Sequence, residues 1–397
     1  MKIGIVGGGP AGLYLALLMK KQDPSHAITV VEQNPAGATY GWGVVFSDRA
    51  LAFLEASDPD SYRDIVHALQ AWNDQAIVHR GQQVRIDGLG FSGIARLELL
   101  RILQTHCRRR GVRLELEARL TDLTALRDCD LVVGADGVNS VVRETHQTAF
   151  GPTIEILSNR YLWYGTTRLF DCLTLTFRQA PHGPFVAHHY RYSDRASTFI
   201  VECDAETWAT ARLAEMSEED SRLYCQEVFR EDLGGHPLLT NRSTWTSFKV
   251  VTNRRWSHDN VILIGDALRT VHFSIGSGTR MALEDAIVLA QAFAVHRDVE
   301  PALAAFERTR RPAVERFLTV AAHSFTWYAR MRETLRLDPL PLAYDYVMRG
   351  GMLTHERLRQ RSPKLAAAWE AYAAAQPSRG ASRPIGRPSP GDADPDT

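Results

Sequence analysis

The first 32 residues restrict the fold more than any other part of the sequence. An apolar run at 3–6 leads into Gly7-Gly8-Gly9-Pro10-Ala11-Gly12, which opens a helical stretch over 13–21 and is followed by a second apolar run over 27–32. Strand, G-x-G-x-x-G turn, helix and strand in that order make a βαβ unit, and such a unit requires a parallel sheet. The glycine turn lets a backbone close on a pyrophosphate at the helix N-terminus, where free N–H groups and the helix dipole favour negative charge. Gly7, Gly9 and Gly12 are therefore expected to bind a dinucleotide, with Glu32, twenty residues beyond Gly12, on the ribose hydroxyls. The fingerprint by itself does not choose between NAD and FAD.

The rest of the chain elaborates that unit. A helical pattern over 94–110 precedes strands at 112–116 and 131–133. From about 155 to 205 the texture changes to short β-like runs at 161–168, 173–177, 185–192 and 198–202, separated by turn residues, which predicts a separate antiparallel sheet. A buried-strand pattern at 260–264 and a helix over 279–295 return to the first domain, so the sheet is an insertion. The fold class expected is α/β. A doubly wound nucleotide domain comprises 1–154 and 245–300, an inserted substrate domain 155–244, and a helical region 301–376 with breaks at Asp338-Pro339, Pro341 and Gly350-Gly351. The segment 377–397, rich in Pro, Gly, Ser, Arg and Asp, cannot offset its own ordering entropy and is expected to be a disordered tail.

Composition narrows the partners. The chain of 397 residues carries 46 Lys+Arg against 46 Asp+Glu, so no overall field attracts nucleic acid or an anionic membrane, and any basic site must be local. Cys107, Cys129, Cys172, Cys203 and Cys225 are odd in number and widely spaced, which argues against a disulfide framework or a metal site and fits a reducing compartment. No apolar h-region with a cleavage site follows Met1 and no apolar run is long enough to span a bilayer, so a cytoplasmic monomer or homodimer is expected.

Two further segments choose the cofactor. Asp136-Gly137-Val138-Asn139-Ser140-Val141-Val142-Arg143 puts D-G-x-x-S-x-x-R just after a strand, and Gly265-Asp266-Ala267 is followed by Gly276-Ser277-Gly278-Thr279 at the head of a helix that carries Glu284-Asp285. In this order the three motifs resemble the single-component FAD-dependent aromatic hydroxylases, whose fold is the p-hydroxybenzoate-hydroxylase-like one. The resemblance implies that Asp136 lies near the FAD pyrophosphate, Asp266 on the ribitol, Gly276 and Gly278 at the isoalloxazine edge, and Arg96 beside the phosphates. It further implies NADH or NADPH as a transient reductant, O2 as oxidant, and ring hydroxylation through a flavin C4a-hydroperoxide.

His272-Phe273 stands where phenol-hydroxylase-like members carry Pro-Pro. The stretch 272–278, with Gly41-Trp42-Gly43, Tyr161-Leu162-Trp163-Tyr164-Gly165-Thr166 and Ser197-Thr198-Phe199-Ile200-Val201-Glu202, is similar to the subgroup that includes salicylyl-CoA 5-hydroxylase, the hydroxylase domain of anthraniloyl-CoA monooxygenase and the violacein-pathway tryptophan hydroxylase. Within it the C-terminal region leans to the CoA-thioester members, which implies salicylyl-CoA hydroxylation to gentisyl-CoA, with anthraniloyl-CoA or a tryptophan-like or carrier-bound ring as the alternative. The given sequence stops where the anthraniloyl-CoA enzyme continues into a second flavin domain, so a simple hydroxylase is expected.

His272 and His188 are the candidate bases, and Tyr190 and Trp163 the candidate substrate contacts. His188, Tyr190 and Tyr192 share one parity in a strand and should project from one face, against the alternative of a solvated sheet surface. His272 belongs to the flavin loop, where shaping the backbone is its other role. Arginines 330, 332, 336, 357, 359 and 361 could meet CoA phosphates, although helical arginines commonly form a solvated face. No W-x-W-x-I-P segment occurs, and neither Gly134-Ala135-Asp136-Gly137 nor Gly265-Asp266 supplies a second dinucleotide fingerprint, which argues against a halogenase and a two-nucleotide monooxygenase. The remaining alternative is a non-catalytic FAD-binding protein.

Overall fold

The structure, a computed structural model, describes residues 1–38 and 41–376, without the side chains of 48–50. The segment 377–397 expected to be a tail lies outside the described residues.

The opening unit folds as its pattern dictates. Lys2–Val6 and Ala27–Val31 are parallel neighbours, and Pro10–Gln22 is the crossing helix. That helix is apolar all round its first half, so Ala11 to Met19 are buried without interruption. Leu131–Gly134 and Val261–Leu263 extend the sheet in parallel on one side and Arg113–Glu115 on the other, with the short Ser257–His258 antiparallel at the edge. The helices Arg96–Arg109 and Gly278–Val295 pack against Pro10–Gln22 in the same apolar core. A small sheet of Gly43–Ser47, Phe91–Ala95 and Gln70–Trp72 sits alongside.

The second sheet is larger than the inserted segment. Its main path runs Leu238–Leu239, Pro152–Thr166, Ser197–Cys203, Gly183–Arg191, Leu173–Ala180, Gln75–His79 and Gln82–Ile86, with Thr246–Asn253 paired to Pro152–Thr166. Two of these strands come from the stretch before 154 that the sequence assigns to the nucleotide domain. Gln75–His79 pairs in parallel with Leu173–Ala180, a partner about a hundred residues away, which no local pattern announces. Pro152–Thr166 likewise runs through the expected boundary at 154.

Both faces of this sheet are covered, and that overturns the solvated-surface alternative for Gly183–Arg191. One face, with Leu162, Tyr164, Phe185, Ala187 and Phe199, packs on the helical excursion that contains Glu218–Val228 and Arg230–Leu233. The other turns toward the nucleotide domain and the C-terminal helices, with Leu175, Phe177 and Val186 packed on Trp327, Tyr328 and Met331. Eight of the nine residues of the strand, Gly183 to Tyr190, are buried.

The C-terminal region is helical, led by Val299–Ala329. The chain breaks at Gly350-Gly351 as expected, but Pro341 causes no break, because it falls in the first turn of Pro339–Met348 where its missing N–H has no intrahelical role. No described helix is long and apolar enough to cross a membrane.

Candidate active site

One cavity of about 1420 Å³ runs between the nucleotide domain and the second sheet. It is larger than the roughly 300–1,000 Å³ usual for one small ligand, so it has room for two.

At one end the glycine loop does what its sequence implies. Gly7 has φ +106, and a Cβ there would lie 2.3 Å from the Ala135 carbonyl oxygen. Gly12 does not reach the cavity; a Cβ on it would lie 2.2 Å from the Gly7 oxygen, so this position serves close helix–turn packing. Gly9 lines the cavity with nothing within 4 Å of its ideal Cβ. One Glu32 oxygen accepts from Gly8 N–H at 2.7 Å and the other from Asn34 Nδ2 at 2.6 Å, which fixes its carboxylate on the cavity wall.

Two helices point bare N-termini into this space. Neither Pro10–Gln22 nor Gly278–Val295 has a side-chain cap or an acidic residue in its first turn, and the leading residues of both line the cavity. Uncapped N–H groups are the positive pole of a helix and are left for a ligand. Arg96 adds a full charge: it lines the cavity and its buried Nε has no partner. Burial works against that charge, with Asp266 and Tyr190 favouring it. An orphaned guanidinium N–H and two uncapped helices on one cavity fit a ligand with a pyrophosphate and a second electron-rich pole, as FAD has. Gly276, with φ +63, and Gly278 border the second helix start.

Asp266 is open to the cavity yet enclosed by protein, and loss of hydration raises its carboxyl pKa against the opposing pull of Arg269 and Arg96. Behind it lies a buried ionic cluster that the sequence did not single out. Asp285 accepts from Gly265 N–H at 3.0 Å, from Arg269 and from Arg310 Nε at 2.8 Å, and Glu284 pairs with Arg310 at 2.8 Å. Arg269 and Arg310 lie 16 and 25 residues from Asp285.

Asp136 borders the cavity, but its carboxylate is used internally. It accepts from Ser140 Oγ and from Val141 N–H at 2.7 Å, and so holds Ser140, whose own Oγ caps the helix Val141–Thr145 by accepting from Arg143 N–H at 3.0 Å. Burial raises its carboxyl pKa in spite of these donors. Arg143 donates to the Ala267 carbonyl at 2.9 Å, which ties the second motif to the third. The D-G-x-x-S-x-x-R spacing thus builds a self-bonded turn that presents its backbone to the cavity.

At the other end, alternate residues of the second sheet form a mostly apolar floor of Trp163, Leu173, Leu175 and Ile200 with Tyr161 and Tyr190. Trp163 lies over Gly41 and Trp42 over Gly165, so close that a Cβ on either glycine would come within about 3 Å of the indole; these paired contacts account for glycine at 41 and 165, while Gly43 makes room for Tyr192. Tyr190 donates to the Gly43 carbonyl at 2.8 Å, so its hydroxyl is already committed and only its ring faces a ligand. His188 lines the cavity and its Nε2 lies 3.2 Å from Glu202. Tyr161 also lines the cavity, although nothing in its sequence context assigns it an individual role.

His272 is not where a base must be. It lies outside the cavity wall, buried between Phe273 and Phe248, with Nδ1 accepting from Ser274 N–H and 2.9 Å from Ser274 Oγ. Burial lowers its pKa to about 4, so it is neutral and organises the loop backbone. Arg349 reinforces that loop through the Ser274 carbonyl and Ser324. Of the proposed phosphate contacts, Arg332 is engaged with Asp204 and Arg359 with Glu370, while Arg361 borders the cavity. Among the described residues no group of His, Cys, Asp and Glu could hold a metal ion.

A sequence model of the FAD binding domain matches residues 101–321. Salicyloyl-CoA 5-hydroxylase of Streptomyces sp is 39% identical over 355 residues, covering 87% of this chain and 69% of that protein. Protodeoxyviolaceinate monooxygenase of Chromobacterium violaceum is 39% identical over 345 residues, with 85% and 91% covered. The 3-hydroxy-4-methyl-anthranilyl-(aryl-carrier protein) 5-monooxygenase of Streptosporangium sibiricum is 38% identical over 355 residues, with 89% and 95% covered. The fold matches 2-methyl-3-hydroxypyridine-5-carboxylic acid oxygenase with a TM-score of 0.71 at 17% identity, covering 91% of this chain and 98% of that one. Relatives this close over nearly the whole chain, with a cavity whose unsatisfied donors suit the cofactor, identify it as a member of the FAD-dependent monooxygenases that act on aromatic rings.

Proposed function

We propose that this monooxygenase hydroxylates a phenolic ring held as a CoA thioester, converting salicylyl-CoA to gentisyl-CoA with NAD(P)H and O2. The observation that carries the reading is the single cavity that joins the dinucleotide loop to an aromatic-floored chamber with volume to spare. FAD bound there supplies the redox chemistry, passing electrons from NAD(P)H to O2 and an oxygen atom to the ring.

The chain's own residues orient and exclude. Gly9 and Arg96 would hold the phosphates, and the N-terminus of Gly278–Val295 would favour negative charge at the flavin edge. Leu173, Leu175 and Ile200 make a dry floor, while Tyr190 and Trp163 offer ring faces. A ring hydroxyl directs attack para to itself, which on a salicylyl ring is position 5. Arg316 and Arg361 border the same cavity and suit a phosphorylated handle.

Support for the thioester comes from the relative that acts on salicyloyl-CoA and from the one that acts on a carrier-bound anthranilyl ring. The second reading, an untethered tryptophan-derived ring, is favoured by equal identity to the protodeoxyviolaceinate enzyme. The test is NADH and NADPH oxidation with salicylyl-CoA, anthraniloyl-CoA and tryptophan derivatives, with product identification. No stimulation and no hydroxylated product from either thioester would overturn the first reading.

A further inference from the structure

His188 and Glu202 form a buried pair at the cavity floor. They sit diagonally on the same face of neighbouring strands, since His188 opposes Ile200 and Val186 opposes Glu202. Glu202 is 1% exposed, and its two oxygens meet His188 Nε2 at 3.2 Å and Asn159 Nδ2 at 2.7 Å. Among the described residues no lysine or arginine pairs with it. His188 itself lines the cavity, and its Nδ1 makes no hydrogen bond to a described residue.

The surroundings restrict how the pair can ionise. Phe273 of the flavin loop and Tyr328 of Val299–Ala329 pack on the His188 ring, Tyr161 opposes Glu202 on Pro152–Thr166, and His189 points to the other face. Arg349 acts on His272 and Tyr328 from the C-terminal side. Burial pushes the Glu202 carboxyl up, but the hydrogen bonds of His188 and Asn159, with the neighbouring imidazoles, outweigh it and hold it below its ordinary range. Burial keeps His272 neutral, so the groups left to hold the Glu202 charge are His188 and Asn159. An ionised Glu202 accepts only, so in the uncharged imidazole the His188 proton sits on Nε2 and Nδ1 is left as an acceptor, on a ring that lines the cavity.

We propose that His188 is the base that takes the proton of the substrate's ring hydroxyl, and that Glu202 is the positioning residue that fixes its tautomer and stabilises the imidazolium. This rests on the phenolic reading above. The O–H bond breaks, the proton goes to His188 Nδ1, and the electron pair stays on the phenolate oxygen and enriches the ring; no oxidant is consumed in the step. After oxygen transfer the attacked ring carbon loses its hydrogen as a proton to water, and His188 returns its own proton to the phenolate oxygen.

The test uses the FAD-loaded enzyme with Glu202→Gln, Glu202→Asp and His188→Gln. An amide at 202 can donate to Nε2 and drive the proton onto Nδ1. Nitrogen-15 shifts of labelled histidine, with the His188 signals identified by their loss in His188→Gln, should report Nε2–H in the wild type and a shift toward Nδ1–H in Glu202→Gln. With salicylyl-CoA, product per NADH oxidised should fall about 10²-fold in Glu202→Gln while NADH still reduces the flavin, with partial recovery in Glu202→Asp. An unchanged tautomer, or full coupling of NADH oxidation to product in Glu202→Gln, overturns the proposal. If no thioester is turned over by the wild type, the substrate reading fails by itself, and the tautomer measurement still decides the Glu202 role.

Discussion

Asp285 offers a quantitative test of how the flavin end of the cavity is held. It is fully buried and its two oxygens take Gly265 N–H at 3.0 Å, Arg269 Nη2 at 3.0 and 2.9 Å, and Arg310 Nε at 2.8 Å. Removing one partner of a buried ion pair leaves the other charge uncompensated and costs about 3–5 kcal/mol. Against a total stability of roughly 5–15 kcal/mol, Asp285→Ala should remove about a fifth at the least. The two arginines do not share the loss equally. Burial lowers the Arg269 pKa in spite of Asp285, whereas for Arg310 the pull of Asp285 and Glu284 together exceeds burial and raises it. Without Asp285, Arg310 keeps its direct pair with Glu284 at 2.8 Å, whereas Arg269 keeps only the weaker pull of Asp266 and Glu284, with no ion pair to either among the described residues. Arg269→Met in the Asp285→Ala background should therefore recover about 1–3 kcal/mol, the cost of the unpaired group. The assay is urea unfolding of FAD-free protein followed by tryptophan fluorescence, so that cofactor affinity does not enter the comparison. A loss below about 1 kcal/mol, the worth of an exposed pair, or no recovery in the double variant, would refute the reasoning.

Three other predictions follow from single positions. Gly12→Ala drives a Cβ to 2.2 Å from a backbone oxygen and should yield destabilised, colourless protein, whereas Gly9→Ala meets nothing in the protein and should fold normally but lose flavin absorbance after desalting. Equal flavin retention in the two would contradict the assignment of Gly9 to the phosphate site. Arg96→Met removes an orphaned Nε, so FAD-free protein should melt no lower than wild type while FAD affinity falls at least about tenfold, the equivalent of 1.4 kcal/mol; titration of apoprotein with FAD and a parallel melt check both signs. His272 has a folded pKa lowered from 6.5 to about 4, so the unfolded chain binds a proton the folded one refuses. Its contribution is intact above pH 6.5 and is lost as pH falls from 6.5 toward 4, by up to about 3 kcal/mol. Urea midpoints measured across that range should fall less steeply in His272→Asn than in wild type; parallel slopes would show that His272 is not buried neutral.

The sequence by itself determined what is local. Gly7 to Glu32 carry strand, turn, helix and acidic residue within one βαβ unit, and each partner lies on the same short piece of chain, so spacing was enough to read the dinucleotide end. The order of the three motifs added FAD. Strand parity placed His188 and Tyr190 on one face, because a strand's period of two survives any tertiary arrangement.

Tertiary structure decided which face was buried and what lay beneath it. His272 was the better placed candidate in the sequence, because it belongs to the flavin loop, yet the loop turned it away from the cavity while the sheet put His188 on the cavity wall. Glu202 became the partner of His188 only through the pairing of Gly183–Arg191 with Ser197–Cys203, and the Asp285 cluster only through the packing of Val299–Ala329 on Gly278–Val295. Gln75–His79 joined a sheet about a hundred residues downstream. Periodicity reports how a residue sits on its own element, whereas these contacts depend on which elements meet, and that is set by burial of the whole chain at once.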